Sequence, residues 1–91
     1  MNTYSIDKIL ASPHTAPMPE EGTILETLCV LLGKYVTPEN FHNIIIYADR
    51  LPEEYNVLLI KNCIARTYNA EKLTDTKIFI DWANRHSEIL T

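Results

Sequence analysis

The stretch TPENFHNIIIYADRLPEEY, residues 37–55, decides the fold, because it can be interpreted as a buried strand or as the junction of two helices. As a strand, the isoleucine run would deliver Asp49 as the metal-binding acid of a nucleotide hydrolase. The residues Thr-Pro-Glu at 37–39 favour helix instead, with a capping hydroxyl, a proline at the first helical position and an acid near the positive helix end. Pro52 starts another helix in the same way. The stretch is therefore predicted to be two helices joined by a corner.

Apolar residues at three- and four-residue steps predict an all-α fold for the rest of the chain. Thr23 and Glu26 form a T-x-x-E capping box before a wide apolar stripe, and this helix is expected to be the most buried one. Residues 66–74 are predicted to be a polar connection, after which Thr74 or Asp75 caps the last helix. The predicted compact, antiparallel bundle has four main helices at about 23–35, 38–50, 52–66 and 75–90, and a short helix near 5–11.

Residues 12–22, SPHTAPMPEEG, hold three of the five prolines in the chain, which sets them apart from the helical segments. Each proline restricts the residue before it to extended backbone, so this segment is predicted to be a linker. The predicted division is residues 1–22, a short N-terminal helix with a proline-rich linker, and residues 23–91, the helical bundle domain. The sequence leaves open whether residues 1–11 dock on their own chain or on another one.

The acidic balance argues against two classes of partner. A net charge of −4 and a pI near 5.2 disfavour binding to nucleic acid or to an anionic membrane. The longest apolar run, residues 28–32, is also too short to span a bilayer. The acids are unevenly spread, because residues 1–60 carry eight acids and three bases whereas residues 61–91 carry four acids and five bases. This asymmetry would orient a protein partner.

The N-terminal residues and the two cysteines predict a cytoplasmic protein. The start MNTYSIDKIL lacks the basic region and apolar core of a secretory signal. Cys29 and Cys63 lie in apolar helical stretches without a nearby Cys or His to complete a ligand set, which indicates reduced core thiols. A disulfide or metal pair is the alternative interpretation.

No catalytic motif is complete in the sequence. The phosphate-binding loop G-x-x-x-x-G-K-[ST] cannot be built from Gly22 and Gly33, the only glycines. No two of the three histidines, His14, His42 and His86, have the helical spacing that metal sites usually use. We therefore predict that the protein is not an enzyme and has no catalytic, cofactor-binding or metal-binding residue.

Two tyrosines flank the corner between the predicted second and third main helices. Tyr47 precedes and Tyr55 follows the sequence Arg50-Leu51-Pro52. Tyrosine and arginine are enriched among the residues that dominate binding energy at protein interfaces. Tyr47, Arg50, Leu51 and Tyr55 are therefore predicted to form an edge that a protein partner contacts.

Residues 37–90 contain two short helical patterns, R-L-P-E-E-Y at 50–55 and F-x-x-W-A-x-x-H-x-x-I-L at 79–90. They resemble the C-terminal, lid-like helical region of phage and bacterial MoxR-like AAA+ ATPases, where R-[LM]-P-x-E-[YF] joins two helices and F-x-x-W-A-x-x-[NH]-x-x-[IVL]-L closes the chain. The resemblance implies a helical lid or adaptor that contacts nucleotide and neighbouring subunits only when it is joined to an ATPase core. It also makes Arg50 and Arg66 candidate sensor arginines, and Arg66 is added to the predicted partner-binding residues.

The leading functional expectation is a non-catalytic helical protein-interaction module, as the lid or adaptor part of an AAA+ ATPase assembly. The alternative is a small acidic phage-type regulator or inhibitor that binds a host enzyme through the acidic first two thirds of the chain. An enzyme with an active site outside the known motifs is the third hypothesis. We expect neither nucleic acid nor membrane as a partner, and a homo-oligomer is left open.

Overall fold

The computed structural model describes residues 5–20, 22–67 and 70–87, which form α-helices and no strand. The all-α prediction is confirmed, and the stretch 37–55 is helical. The final residues of the predicted last helix, 88–90, lie outside the described residues. None of the described helices is long and apolar enough to cross a membrane. The helices are α1 (Ile6–Ala11), α2 (Gly22–Tyr35), α3 (Phe41–Ala48), α4 (Glu53–Arg66), α5 (Ala70–Thr74) and α6 (Lys77–Arg85).

Two helices at the centre of the fold organise the others. α3 packs against α1, α4 and α6, while α4 packs against α2, α3 and α5. α2 and α4 run in the same direction, because Gly22 of α2 approaches Tyr55 of α4 and Gly33 approaches Asn62. A Cβ atom at Gly33 would lie 3.1 Å from the Asn62 Cβ. Gly33 therefore allows the backbones of α2 and α4 to come close together.

The core is rich in aromatic side chains, and one row of them joins α3 to α6. Phe41 stacks on Phe79 with 6.2 Å between ring centroids, and Phe79 lies 5.7 Å from Trp82. Phe41 and Trp82 are each 1% exposed. This burial is the largest favourable contribution between the two helices, since each aromatic side chain removes roughly 150–250 Å² from water.

The N-terminal segment shares this core. Ile9 of α1 is fully buried, and Ala16, which follows α1 in the proline-rich segment, is 2% exposed. Both belong to the same apolar cluster as the side chains of α2 to α6. The described N-terminal residues, 5–20, therefore dock on their own chain, which the sequence had left open.

The start of α3 uses the chemistry predicted for Thr37. The Thr37 hydroxyl accepts a hydrogen bond from the Asn40 N–H at 3.1 Å, and the Asn40 side-chain oxygen accepts one from the Thr37 N–H at 2.8 Å. This reciprocal pair satisfies two donors that a helix start leaves free. The regular helix begins at Phe41, three residues later than predicted, and α4 begins at Glu53 with Pro52 as its N-cap.

Two predictions about α2 are wrong. The helix begins at Gly22, which places Thr23 inside it, so Thr23 does not cap the helix. The Thr23 carbonyl instead accepts a hydrogen bond from the Thr27 hydroxyl at 3.0 Å. α2 is also not the most buried helix, because five of its 14 residues are buried whereas five of the eight in α3 are.

The predicted polar connection between the last two main helices contains α5, Ala70–Thr74, whose Leu73 is fully buried. α6 is capped by Thr76, whose hydroxyl accepts a hydrogen bond from the Phe79 N–H at 3.3 Å. The same hydroxyl donates to the Leu73 carbonyl at 2.7 Å. The prediction that Thr74 or Asp75 caps the last helix is therefore wrong.

We predict that Gly33→Val lowers the free energy of unfolding by about 1–3 kcal/mol, because the added methyl groups collide with α4. The nearest atoms at Gly33 include the backbone carbon and oxygen of Asn62, both at 3.3 Å, and backbone atoms cannot easily move. Gly22→Val is the matched control, since the atom in its way is the Tyr55 hydroxyl at 2.7 Å, the end of a movable side chain. Urea unfolding followed by circular dichroism measures both variants, and equal losses would contradict the close contact of α2 and α4.

Candidate functional site

Polar side chains gather where the corner between α3 and α4 meets α6. We call Asp49, Glu53, Asn56, Arg85 and His86 the corner cluster. Arg85 Nη2 donates to both Asp49 carboxylate oxygens, at 3.0 and 2.8 Å, and His86 Nδ1 lies 3.0 Å from Glu53 Oε2. The Arg85 and Asp49 side chains are 50% and 41% exposed, so their ion pair contributes about 0–1 kcal/mol.

The buried part of the corner cluster is centred on Asn56, which is 4% exposed and is the one buried polar or charged residue in the described ranges. Its side-chain oxygen accepts a hydrogen bond from Trp82 Nε1 at 2.8 Å, and its amide nitrogen lies 3.4 Å from His86 Nε2. The His86 ring packs against Trp82, with 4.9 Å between centroids. These contacts fix α6 on α4 more strongly than the exposed ion pair does, because a buried donor without a partner costs about 1–3 kcal/mol.

The pair of His86 and Glu53 has the form in which a carboxylate orients a catalytic base. A base of this kind also needs a nucleophile or a water on its other ring nitrogen, and that nitrogen faces the Asn56 amide. Among the described residues, no three His, Cys, Asp or Glu side chains come together in a way that could hold a metal ion. The contacts of His86 therefore serve packing. Its spacing of four residues from Trp82 is the sequence signal that placed it on the apolar face of α6.

The structure separates the five residues predicted to bind a partner. Tyr47 is fully buried and Leu51 is 9% exposed, so neither presents a surface to another protein in this conformation. Tyr55 is partly buried and Arg66 is exposed. Arg66 lies eleven residues beyond Tyr55 on the same helix, about 16 Å along the helix axis. Arg66 therefore lies apart from the corner, and partner binding by the four corner residues stays a prediction.

Arg50 and Tyr47 are held together, and both contact the N-terminal segment. The Arg50 guanidinium carbon lies 5.6 Å from the centre of the Tyr47 ring, within the range of a cation–π interaction. Arg50 Nη1 donates to the Pro13 carbonyl at 2.7 Å, and the Tyr47 hydroxyl donates to the Pro17 carbonyl at 2.8 Å. No sequence pattern predicts these contacts, because they join residues thirty or more positions apart.

The outer side of α2 carries half-buried apolar residues next to an acid. We define the α2 surface as Glu26, Thr27, Val30, Leu31 and Tyr35. The first four residues line a shallow depression of about 340 Å³. Tyr35 is 57% exposed and lies one helical turn beyond Leu31, on the same side of the helix.

Tyr35 also closes a second depression, of about 350 Å³, together with residues of α1. Its α1 lining consists of Ile6, Asp7 and Leu10, preceded by Ser5. Each depression is lined mainly by apolar surface and includes one carboxylate, Asp7 in the second and Glu26 in the first. Near the first depression, partial burial and the carboxylates of Glu54 and Glu26 raise the pKa of the Tyr55 phenol.

The ion pairs of the described residues all involve α6. They are Lys77 with Asp81, Arg85 with Asp49, and His86 with Glu53. The other acids in the first two thirds of the described chain make no ion pair with a described residue; these are Asp7, Glu20, Glu26, Glu39 and Glu54. Their charge is therefore available to a cationic partner.

Cys29 and Cys63 are free and buried between α2 and α4. Burial, with a smaller contribution from Glu26, raises the pKa of the Cys29 thiol to about 11. Burial, with a smaller contribution from Cys29, raises the pKa of Cys63 to about 12. Because the thiolate is the nucleophile and the metal ligand, neither cysteine is reactive near neutral pH in the folded protein.

Comparisons of the chain with protein-family models, with curated proteins and with solved structures find no match. The resemblance of residues 37–90 to the lid-like region of AAA+ ATPases therefore stays a prediction. What the chain binds has to be argued from its own surfaces.

We predict that Asn56→Ala lowers the free energy of unfolding by about 1–3 kcal/mol, because the buried Trp82 N–H loses its acceptor. In the Asn56→Ala/Trp82→Phe variant the loss should be smaller than the sum of the two single losses, since the two residues form one hydrogen bond. Asn84→Ala, at an exposed position of the same helix as Trp82, is the control and should change stability by less than about 0.5 kcal/mol. Additive losses in denaturant unfolding would contradict a stabilising Asn56–Trp82 bond.

The thiols also predict how stability depends on pH. Their pKa values in the folded protein lie above the unfolded value of 9.0, so the folded state keeps protons that the unfolded state releases. The thiol contribution to stability is complete below pH 9 and is lost as pH rises towards 11 and 12. Urea unfolding between pH 8 and 10.5 should show a steeper decline for the wild type than for Cys29→Ala/Cys63→Ala. Parallel declines would show that the thiols ionise equally in both states.

Proposed function

We propose that the protein is a non-catalytic helical module that binds a protein partner through the α2 surface. The observation that carries this proposal is the position of α2 at the edge of the fold. Its strongest helix contact is with α4, whereas α3 and α4 each pack against three helices. One shallow depression with an apolar floor lies on α2 itself, and Tyr35 near the end of α2 lines a second one together with α1.

The residue types of the α2 surface suit a protein partner. Tyr35 presents a large aromatic side chain to solvent, and aromatic side chains provide much of the binding energy at interfaces. Val30 and Leu31 are half-buried, which gives a floor into which a partner side chain packs. An amphipathic helix of the partner, with apolar residues one turn apart, matches the spacing of Leu31 and Tyr35.

In the leading form of the proposal, the module is the lid or adaptor part of a phage or bacterial AAA+ ATPase assembly in the cytoplasm. The support is the resemblance of residues 37–90 to such lids. Arg50 and Arg66 are the candidate residues for contacts to nucleotide or to a neighbouring subunit. The α2 surface would then face the ATPase core, and its apolar contacts would persist at moderate salt.

The second form, an acidic regulator of a host enzyme, is favoured by the five acids without an ion pair among the described residues. Carboxylates around an apolar floor attract a basic surface, and such attraction weakens as salt screens it. Glu26 and Asp7 lie at the rims of the two depressions and would contribute directly. The two forms thus differ in how binding responds to salt.

The test is affinity capture from lysate of the source organism with the wild-type chain, Leu31→Ala/Tyr35→Ala and Leu58→Ala/Ile80→Ala. The last variant is the matched control, because Leu58 and Ile80 are also exposed apolar residues, at 38% and 47%, but lie on α4 and α6. We predict that the partner is recovered with the wild type and the control but is reduced tenfold or more with the α2 variant, since truncation of a tyrosine that anchors an interface costs about 2 kcal/mol or more. Circular dichroism of the three purified chains checks that each one is folded, so that a loss of capture reflects a lost contact and not unfolding.

Capture at 50 mM and 300 mM salt separates the two forms. A nucleotide-hydrolase core that is retained at both salt concentrations supports the lid. A different enzyme that is lost at the higher concentration supports the acidic regulator. Equal recovery with the α2 variant and the control would contradict the α2 surface as the binding site.

A further inference from the structure

The proline-containing segment before α2 lies along α3, and its main chain is held by two side chains of α3 and by one side chain of the turn after α3. Asn43 Nδ2 donates to the Leu10 carbonyl at 2.7 Å. As described above, the Tyr47 hydroxyl donates to the Pro17 carbonyl and Arg50 Nη1 to the Pro13 carbonyl. Asn43 and Tyr47 are one helical turn apart on the same side of α3, and Arg50 follows two residues after the end of the helix. We call the surface formed by these three residues the α3 groove.

The α3 groove contacts the segment in the way that a peptide-binding site contacts its ligand. All three hydrogen bonds go to main-chain carbonyls, so they do not depend on the side chains of the occupant. Specificity comes from small apolar residues, because Pro13, Ala16 and Pro19 are the buried residues of the segment after α1. Prolines suit such a site, since they stiffen a peptide before it binds and therefore reduce the entropy lost on binding.

The occupant is compact enough to act as a ligand of its own. One turn is closed by the Ala16 N–H on the Ser12 carbonyl at 2.9 Å, and residues 17–20 then continue without helix. The apolar anchor at its other end is Ile9, which is fully buried. The segment therefore consists of a short helix, which carries the buried Ile9, followed by the sequence pattern P-x-x-A-x-x-P at residues 13–19.

We propose that the α3 groove is a recognition site for a proline-containing peptide segment of a partner protein, and that residues 5–20 are its built-in occupant. A partner segment of the same chemistry, with a buried apolar residue followed by P-x-x-A-x-x-P, displaces residues 5–20, and its carbonyls accept hydrogen bonds from Asn43, Tyr47 and Arg50. The site goes beyond the proposed α2 surface, since it lies on a different helix and binds a short helix together with the proline-containing turn that follows it.

The experiment is to convert the built-in occupant into a separate peptide. A protease site is inserted after Glu20, which is exposed, in the full-length chain, and the chain is then cleaved. A fluorescent synthetic peptide of residues 5–20 is the probe. We expect the two fragments to stay associated and folded, and the probe to replace the original segment with saturable binding measured by fluorescence anisotropy.

Matched variants of two basic residues test whether the groove is responsible. Arg50→Ala removes the donor to the Pro13 carbonyl and should weaken probe binding about tenfold, the effect of losing a hydrogen bond from a charged group. Lys61→Ala, at an exposed basic residue of α4, should leave binding unchanged. A probe with Ala16 replaced by Glu should not compete, because Ala16 is buried.

Two results would overturn the proposal. The first is a cleaved chain that unfolds and is not refolded by excess probe, which would show that residues 5–20 act only as a covalent part of the core. The second is probe binding that Arg50→Ala and Lys61→Ala reduce equally. Size-exclusion chromatography of the intact chain is a further control. A dimer of intact chains would show that residues 5–20 of one copy bind the groove of another, so the occupant would be a second copy and not a partner protein.

Discussion

The fold depends on the burial of α3 by its neighbours. An isolated helix of eight residues is not stable in water, because the cost of nucleation exceeds the gain from so few hydrogen bonds. α3 is stable because α1, α4 and α6 cover its apolar residues, and because Asn43 and Tyr47 donate hydrogen bonds to carbonyls of the N-terminal segment. The segment thus adds hydrogen bonds and buried apolar contacts to those that hold α3. This explains why a stretch with the composition of a linker contains buried residues.

The packing around α3 also decides which polar residues hold the fold together and which remain available to a partner protein. Asp49, Arg50 and His86 look functional in the sequence, but each has a partner within the chain: Arg85, the Pro13 carbonyl and Glu53. α2 differs, since its outward side has apolar residues at the surface and Glu26 without an ion pair to a described residue. The sequence predicts a partner site at the corner, and the unpaired charge and surface apolar residues of α2 are the reason why we propose α2 instead.

The sequence predicted local chemistry well and long-range contacts poorly. Thr37 and Pro52 mark the starts of α3 and α4 because capping depends on residues three or four positions apart, which the sequence displays directly. The hydrogen bonds from Asn43 and Tyr47 to the N-terminal segment span thirty or more residues, and helical periodicity shows which residues share a face but not what covers that face. For this reason the sequence predicts that Tyr47 contacts a partner protein, whereas the structure buries Tyr47 within its own chain. The prediction that Thr23 caps α2 is wrong for a different reason. The T-x-x-E pattern of a capping box also fits the first turn of a helix that has already begun, and α2 begins at Gly22.

The two proposed sites are physically connected through α1. Leu10 accepts a hydrogen bond from Asn43 in the α3 groove, and the same residue lines the depression that Tyr35 closes. A peptide that displaced residues 5–20 would remove Ile6, Asp7 and Leu10 from that depression and leave Tyr35 without its α1 wall. Binding at the α3 groove and binding at the Tyr35 end of the α2 surface would therefore oppose each other, and the coupling must be equal in both directions because it is a single free energy. A partner bound at α2 would hold the built-in segment in place, so occupancy of one surface would determine whether the other is open.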